Sequence, residues 1–159
     1  MMTAPRFRSV LALLAPALVL CAYDQGQQDA PASKSEKSIH VEYLEVVTPD
    51  VDATCSALEK VHGVSFGKPE AALGNARTAP LAGGRIAVRA PMHEGEKPVV
   101  RPYARVDDIE TAEKAAKAAG GEFAVTATEI PNHGKFAIYF QGGIEYGLWE
   151  PLKKPAAKY

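Results

Sequence analysis

Val47-Thr48-Pro49-Asp50-Val51 closes a run of β-branched and apolar residues and opens a helical pattern, and Val106-Asp107-Asp108-Ile109 does the same later in the chain. Each stretch places an aspartate where a side-chain oxygen can cap the free N–H groups of a first helical turn. Before it, His40 to Thr48 is rich in β-branched and aromatic types and predicts a strand. After it, Val51, Cys55, Leu58 and Val61 recur at the helical period as far as Gly63. Asp50 and Asp108 lie 58 positions apart, and the same offset lays Gly63 on Gly121, Gly84 on Gly142 and Ile86 on Ile144. Several element boundaries falling into register at one offset mark an internal duplication.

The rest of each copy follows from the same patterns. In the first, Val64 to Gly67, Ala76 to Leu81 and Arg85 to Ala90 predict three further strands, with Gly83-Gly84 as a turn. In the second, a strand over Val99 to Val106 leads into a helix over Asp108 to Ala119 with Ile109, Ala112, Ala116 and Ala119 on one face. Strands over Phe123 to Glu129, Lys135 to Gln141 and Ile144 to Glu150 complete it. The expected fold is α+β, two β-α-β-β-β modules. Glu110, Glu113, Lys114 and Lys117 alternate in sign on the second helix, as on a solvated face.

The 159 residues, 47% hydrophobic, suffice for one domain with short tails, expected at residues 39–152. With 18 Lys+Arg against 19 Asp+Glu, five Phe and one Trp, the chain has neither the cationic field nor the stacking platforms of a nucleic-acid binder. At the amino end, Arg6 and Arg8 precede an apolar run from Val10 to Leu20, the pattern of a secretory signal over residues 1–22 and too short to span a bilayer. Leu18-Val19-Leu20-Cys21 resembles a lipobox, whose cysteine would carry a lipid anchor; cleavage after Ala22 is the alternative. The expected location is therefore outside the cytoplasm of a bacterium, periplasmic or membrane-tethered. Cleavage removes two arginines and takes the charge from -1 to -3. Residues 23–38 lack apolar periodicity and predict a flexible linker with a reach of roughly 20 Å, and residues 153–159 a loose tail. Cys55 falls on the apolar helical stripe and is expected to be a buried packing residue rather than a nucleophile.

The paired modules, the two helix entries quoted above and the closing Gly142-Gly143-Ile144-Glu145-Tyr146-Gly147-Leu148-Trp149-Glu150 resemble the vicinal oxygen chelate superfamily, which includes glyoxalase I, bleomycin-resistance proteins and extradiol dioxygenases. The resemblance runs from Ile39 to Leu152. It implies that the modules form a curved mixed sheet of half-barrels with the helices on the outer face, a ligand in the hollow, and a homodimer. Metal-dependent members hold a divalent ion with four side chains from the first and last strands of each module. Carried over by spacing, those positions are Tyr43, Arg89, Arg101 and Gly147. None is an ordinary divalent-ion donor, and a guanidinium is a permanent cation. No metal and no other cofactor is therefore expected.

A one-residue slip of the first strand would present His40 and Glu42 instead, at the cost of turning Leu44 and Val46 away from the helix. In the preferred register the hollow collects Tyr43, Glu45, Arg89, Arg101, Tyr103, Arg105, Glu145 and Trp149; Tyr43, Glu45, Arg89, Arg101, Tyr103, Glu145 and Trp149 are the expected ligand-binding set. Aromatic area with an arginine fork suits a small anionic or aromatic ligand. The same charges could instead neutralise one another as a structural ion-pair network. Glu45 and Tyr43 are the candidate catalytic pair, as general base and as acid or oxyanion donor. Two classes of function fit: a small-molecule binding module, or an enzyme of the same superfamily, metal-independent or, under the slipped register, a metal-dependent lyase or oxygenase. His62, His93 and His133 are expected in exposed loops or at a helix end.

Overall fold

A computed structural model describes residues 38–153. The expected signal peptide, Cys21 and all but the last residue of the linker lie outside the described residues, as does the tail beyond Lys153. Seven strands form one curved mixed sheet: β1 (Val41–Val47), β2 (Arg77–Leu81), β3 (Gly84–Arg89), β4 (Val99–Arg105), β5 (Glu122–Ile130), β6 (Gly134–Gln141) and β7 (Ile144–Pro151). Helix α1 (Val51–His62) follows β1, and α2 (Ile109–Ala118) follows β4. No helix among the described residues is long and apolar enough to cross a membrane.

The strand order is β2-β3-β1-β4-β7-β6-β5. Each half places its first strand parallel to its last, β1 with β3 and β4 with β7, and the halves meet through the antiparallel pair β1–β4. The duplication is thus a two-fold arrangement of backbone about the β1–β4 seam.

Both helix starts are capped by the aspartates that opened the sequence reading. Asp50 accepts from the Ala53 N–H at 3.0 Å and Asp108 from the Thr111 N–H at 2.7 Å. Gly63, at φ 66°, ends α1 in the left-handed conformation that glycine adopts without strain. Beneath α1 pack Cys55, Phe66, Ala79 and Val88; beneath α2 pack Ile109, Ala137 and Leu148. Cys55 is fully buried, and that burial pushes its thiol pKa up.

Four local expectations are corrected. Val64–Gly67 is not a strand, so the first module is β-α-β-β. Its backbone groups are taken elsewhere: Glu59 accepts from the Phe66 N–H at 2.8 Å, and Arg77 donates to the carbonyls of Gly67 at 3.0 Å and Phe66 at 3.4 Å. Only the Gly67 N–H reaches β2, at Thr78 O. Val61 is exposed rather than on the packed stripe. Glu113 is buried, because β5 is irregular between Val125 and Thr128 and the Ala127 N–H left out of the ladder donates to its carboxylate. His133 is turned inward, its ring 3.5 Å from the Glu70 carboxylate.

Candidate functional site

The concave face of the sheet carries a cleft of about 880 Å³ lined by both halves of the chain. Its floor is set by strand alternation. On the β1–β4 seam Tyr43 faces Tyr103 and Glu45 faces Arg101; on β4–β7 Tyr103 faces Gly147. Arg89 ends β3, and Glu145 and Trp149 lie on β7 at the same parity as Gly147. All seven residues expected from the sequence line this one cleft.

The charged part of the floor is a continuous network centred on Glu45, which is buried. Arg89 Nε donates to Glu45 Oε1 at 2.7 Å. Arg101 Nη1 and the Tyr103 hydroxyl, the latter at 3.1 Å, donate to Glu45 Oε2. Arg101 also donates to Glu145, from Nε at 2.8 Å and from Nη2. The other edge of Arg89 grips Glu96 as a two-pronged fork, Nη1 to Oε2 at 2.8 Å and Nη2 to Oε1 at 2.7 Å. Two guanidiniums therefore face three carboxylates.

Electrostatics follow from that geometry. Burial opposes the charge of Arg89, but hydrogen bonds to Glu96 and Glu45 outweigh it and hold the guanidinium above the ordinary arginine value. The Arg89 fork in turn pulls the Glu96 carboxyl down to about 2. Burial, and next the Glu45 charge, push the phenols of Tyr43 and Tyr103 up, so both keep their protons at neutral pH.

The aromatic part is self-packed. Tyr43 stacks on Trp149 with ring centroids 4.9 Å apart, and Tyr103 meets both edge-on, at 5.5 Å from Tyr43 and 6.0 Å from Trp149. Leu73, Ala76 and Ala87 complete this cluster, with Phe136 and Ile138 against it. The cleft rim carries exposed Met92, Val100, Phe140 and Ile144.

Tyr43, Arg89, Arg101 and Gly147, the four positions the resemblance implied for metal ligands, present a phenol, two guanidiniums and no side chain, a donor set that does not fit a divalent ion. At the fourth, a Cβ on Gly147 would collide with the Tyr103 ring, which covers the glycine. The carboxylates beside these positions are engaged by the two arginines. His40 and Glu42, the alternatives under a slipped register, point elsewhere: His40 Nε2 is 2.6 Å from Gly83 O, and Glu42 lies 3.4 Å from Arg105 Nη1. Neither residue lines the cleft. Arg105, expected in the hollow, is half-exposed beside Glu42 and does not line the cleft.

Sequence reasoning missed Glu96, Met92, Leu73, Phe136 and Phe140. Glu96 sits in the connection between β3 and β4, where no periodicity assigns a face. On β6, Phe136, Ala137, Ile138, Tyr139 and Phe140 are apolar on both faces, so alternation alone does not tell the cleft side from the helix side; pairing of Phe136 with Trp149 across β6–β7 does.

No family model and no curated protein matches the chain. Solved structures do. The chain superposes on methylmalonyl-CoA epimerase from Mycobacterium tuberculosis at TM-score 0.57 and 18% identity, covering 74% of this chain and 91% of the epimerase. A hypothetical protein from Bacillus halodurans C-125 matches at TM-score 0.59 and 14% identity, over 77% of this chain and 100% of that one. A glyoxalase/bleomycin resistance protein/dioxygenase superfamily member from Vibrio splendidus 12B01 matches at TM-score 0.51 and 14% identity, over 71% and 99%. The described residues have the vicinal oxygen chelate fold.

Proposed function

We propose, taking the vicinal oxygen chelate fold as premise, that this domain is a small-molecule binding module that works without the metal centre of that fold's enzymes. The observation that supports it is the cleft of about 880 Å³, whose floor ends in arginines where metal ligands would stand. That volume lies within the usual range for small-ligand sites. The ligand is a small molecule with an apolar or aromatic body lying against Leu73, Phe136 and Trp149, and its polar end meets the arginine network. The chain is exported, held at a membrane by a lipid on Cys21 or released by cleavage after Ala22, and pairs as a homodimer; the leader pattern supports the first part and the family resemblance of the sequence the second.

The epimerase activity named for the Mycobacterium tuberculosis neighbour is not carried over, since 18% identity conveys backbone and not chemistry. Nor does the network favour Glu45 as a general base. Its carboxylate already accepts three hydrogen bonds in a buried position, one on Oε1 from Arg89 and two on Oε2 from Arg101 and Tyr103, which leaves a single acceptor site on Oε1 for a substrate proton.

The chain's one tryptophan, Trp149, forms part of the cleft floor, so its emission reports occupancy. Titrating a panel of small aromatic acids, amides and alcohols is expected to give saturable changes in Trp149 emission with accompanying melting shifts. Elemental analysis of the purified protein is expected to find no stoichiometric divalent ion. A stoichiometric ion, or a panel with no member binding below about 1 mM, would reject the proposal, the former in favour of a metal-dependent lyase or oxygenase.

A further inference from the structure

The network on the cleft floor is asymmetric in how firmly its three carboxylates are held. Glu45 lies in the middle of β1 and Glu145 on β7, both in paired strand. Glu96 lies on neither. It belongs to the connection Ala90 to Pro98 between β3 and β4, whose residues are mostly exposed. Among the described residues, the hydrogen bonds tying residues 91–98 to the sheet are those that Arg89 donates to Glu96. At the start of the loop Ala90 O accepts from Arg89 Nη1 at 3.0 Å, and within residues 91–98 the Met92 N–H donates to Glu96 Oε2 at 2.7 Å and the Glu96 N–H to His93 O at 3.0 Å. Its other foothold is apolar, the Met92 side chain lying on Gly74, where an added Cβ would collide with it.

Arg89 is built differently. Its Nε bonds to Glu45, on a paired strand and separate from Glu96, which anchors the guanidinium in the floor while its Nη edge faces Glu96. That edge is a planar, two-pronged donor, and it is filled by a planar carboxylate supplied from a loop. If Glu96 leaves, a nearly buried cation loses its second counter-charge, and only another planar oxyanion restores it.

The geometry points to Glu96 as a built-in occupant of the ligand's carboxylate subsite: a monocarboxylate with an apolar body displaces Glu96 from the Arg89 fork, and the loop from Pro91 to Pro98 opens as it enters. The exchange of one carboxylate for another is close to balanced at the fork, so net affinity comes from the apolar body against Leu73, Phe136 and Trp149. Selection follows from the same balance. An uncharged analogue cannot replace Glu96 and has to bind beside it, whereas a bare small carboxylate gains little by replacing it. This inference rests on the cleft-binding proposal above and assigns its polar anchor.

The test uses the full chain, wild type, Glu96→Gln and Glu96→Ala, with two probes that differ only in charge, phenylacetate and phenylacetamide, followed by Trp149 emission. Acetate against chloride at matched ionic strength, followed by melting temperature, supplies an arm that needs no apolar body. Both variants are expected to bind phenylacetate at least about ten-fold more tightly than wild type, with phenylacetamide unchanged. Acetate is expected to raise the melting temperature of Glu96→Ala and to leave wild type unmoved. Equal strengthening for both probes would show mere widening of the cleft and overturn the inference. Binding of phenylacetamide to all three proteins without any gain for phenylacetate would also overturn it while leaving the cleft proposal intact. Absence of binding by either probe to any of the proteins, with acetate giving no protection, would overturn the inference, and the cleft proposal falls with it if no member of the wider panel above binds either.

Discussion

Glu45 and Arg101 stand opposite one another across the β1–β4 seam, one from each half of the chain, and their side chains bond in the floor of the cleft. The duplication repeated the backbone but not this chemistry. The 58-residue offset that places Tyr43 on Arg101 also places Glu45 on Tyr103 and Arg89 on Gly147. Each half holds an arginine–carboxylate pair of its own, Arg89 with Glu45 and Arg101 with Glu145, and the Glu45–Arg101 bond joins the two into one network where the halves meet.

Glu45→Ala removes the shared acceptor of Arg89, Arg101 and Tyr103 and leaves two nearly buried guanidiniums short of a counter-charge. Urea unfolding is expected to show a loss of about 3–5 kcal/mol, the range for breaking a buried pair from one side. Glu145→Ala, whose carboxylate is 29% exposed, is expected to lose much less.

Gly147→Ala is expected to destabilise by about 1–3 kcal/mol, because the new methyl collides with the Tyr103 ring and the buried floor has little space to move it. In Tyr103→Ala the same change should cost far less. A double-mutant cycle by urea unfolding checks this; additive effects would mean that the ring and the glycine are not in contact.

Acid should weaken the fold partly through Glu96. Its carboxyl is lowered from 4.5 to about 2 in the folded chain, so the stabilisation it gives is complete above about 4.5 and is lost as the pH falls towards 2. Glu96→Gln should therefore flatten the stability-against-pH curve between those values and leave its shape near neutrality unchanged. Melting temperatures measured across that window decide it.

Cys55 should resist thiol reagents in the native protein and react once the chain is unfolded in urea, since its side chain is fully buried between α1 and the sheet and its thiolate is disfavoured there. Labelling followed by peptide mass analysis separates Cys55 from Cys21. Rapid native labelling of Cys55 would contradict the packing beneath α1.

Much of the fold was legible because its signals are local. An aspartate before an apolar helical stripe marks a cap wherever it occurs, and Asp50 and Asp108 both cap as expected. The Gly83-Gly84 pair marks a tight hairpin between β2 and β3, and Gly83 takes positive φ. Parity along each strand placed the seven expected residues on one face. Val64–Gly67 misled because a short apolar run does not reveal that Arg77, ten or so positions on, will occupy its carbonyls. Glu113 misled for a similar reason: the N–H that draws it inward is left out of the ladder by an irregularity in β5.

The sequence by itself determined two modules, where each helix starts, and that Tyr43, Glu45, Arg89, Arg101, Tyr103, Glu145 and Trp149 share one face of the sheet. These depend on periods of two and of about 3.6 residues and on a repeat offset, all carried by neighbours along the chain. Only the tertiary structure decided how the charges pair, that Glu96 rather than solvent fills the Arg89 fork, and that the Tyr103 ring covers Gly147. The physical reason is that a counter-ion is chosen by distance in space, and residues 44 and 56 positions from Glu45 come within hydrogen-bonding reach of it only when the β1–β3 and β1–β4 pairs have formed.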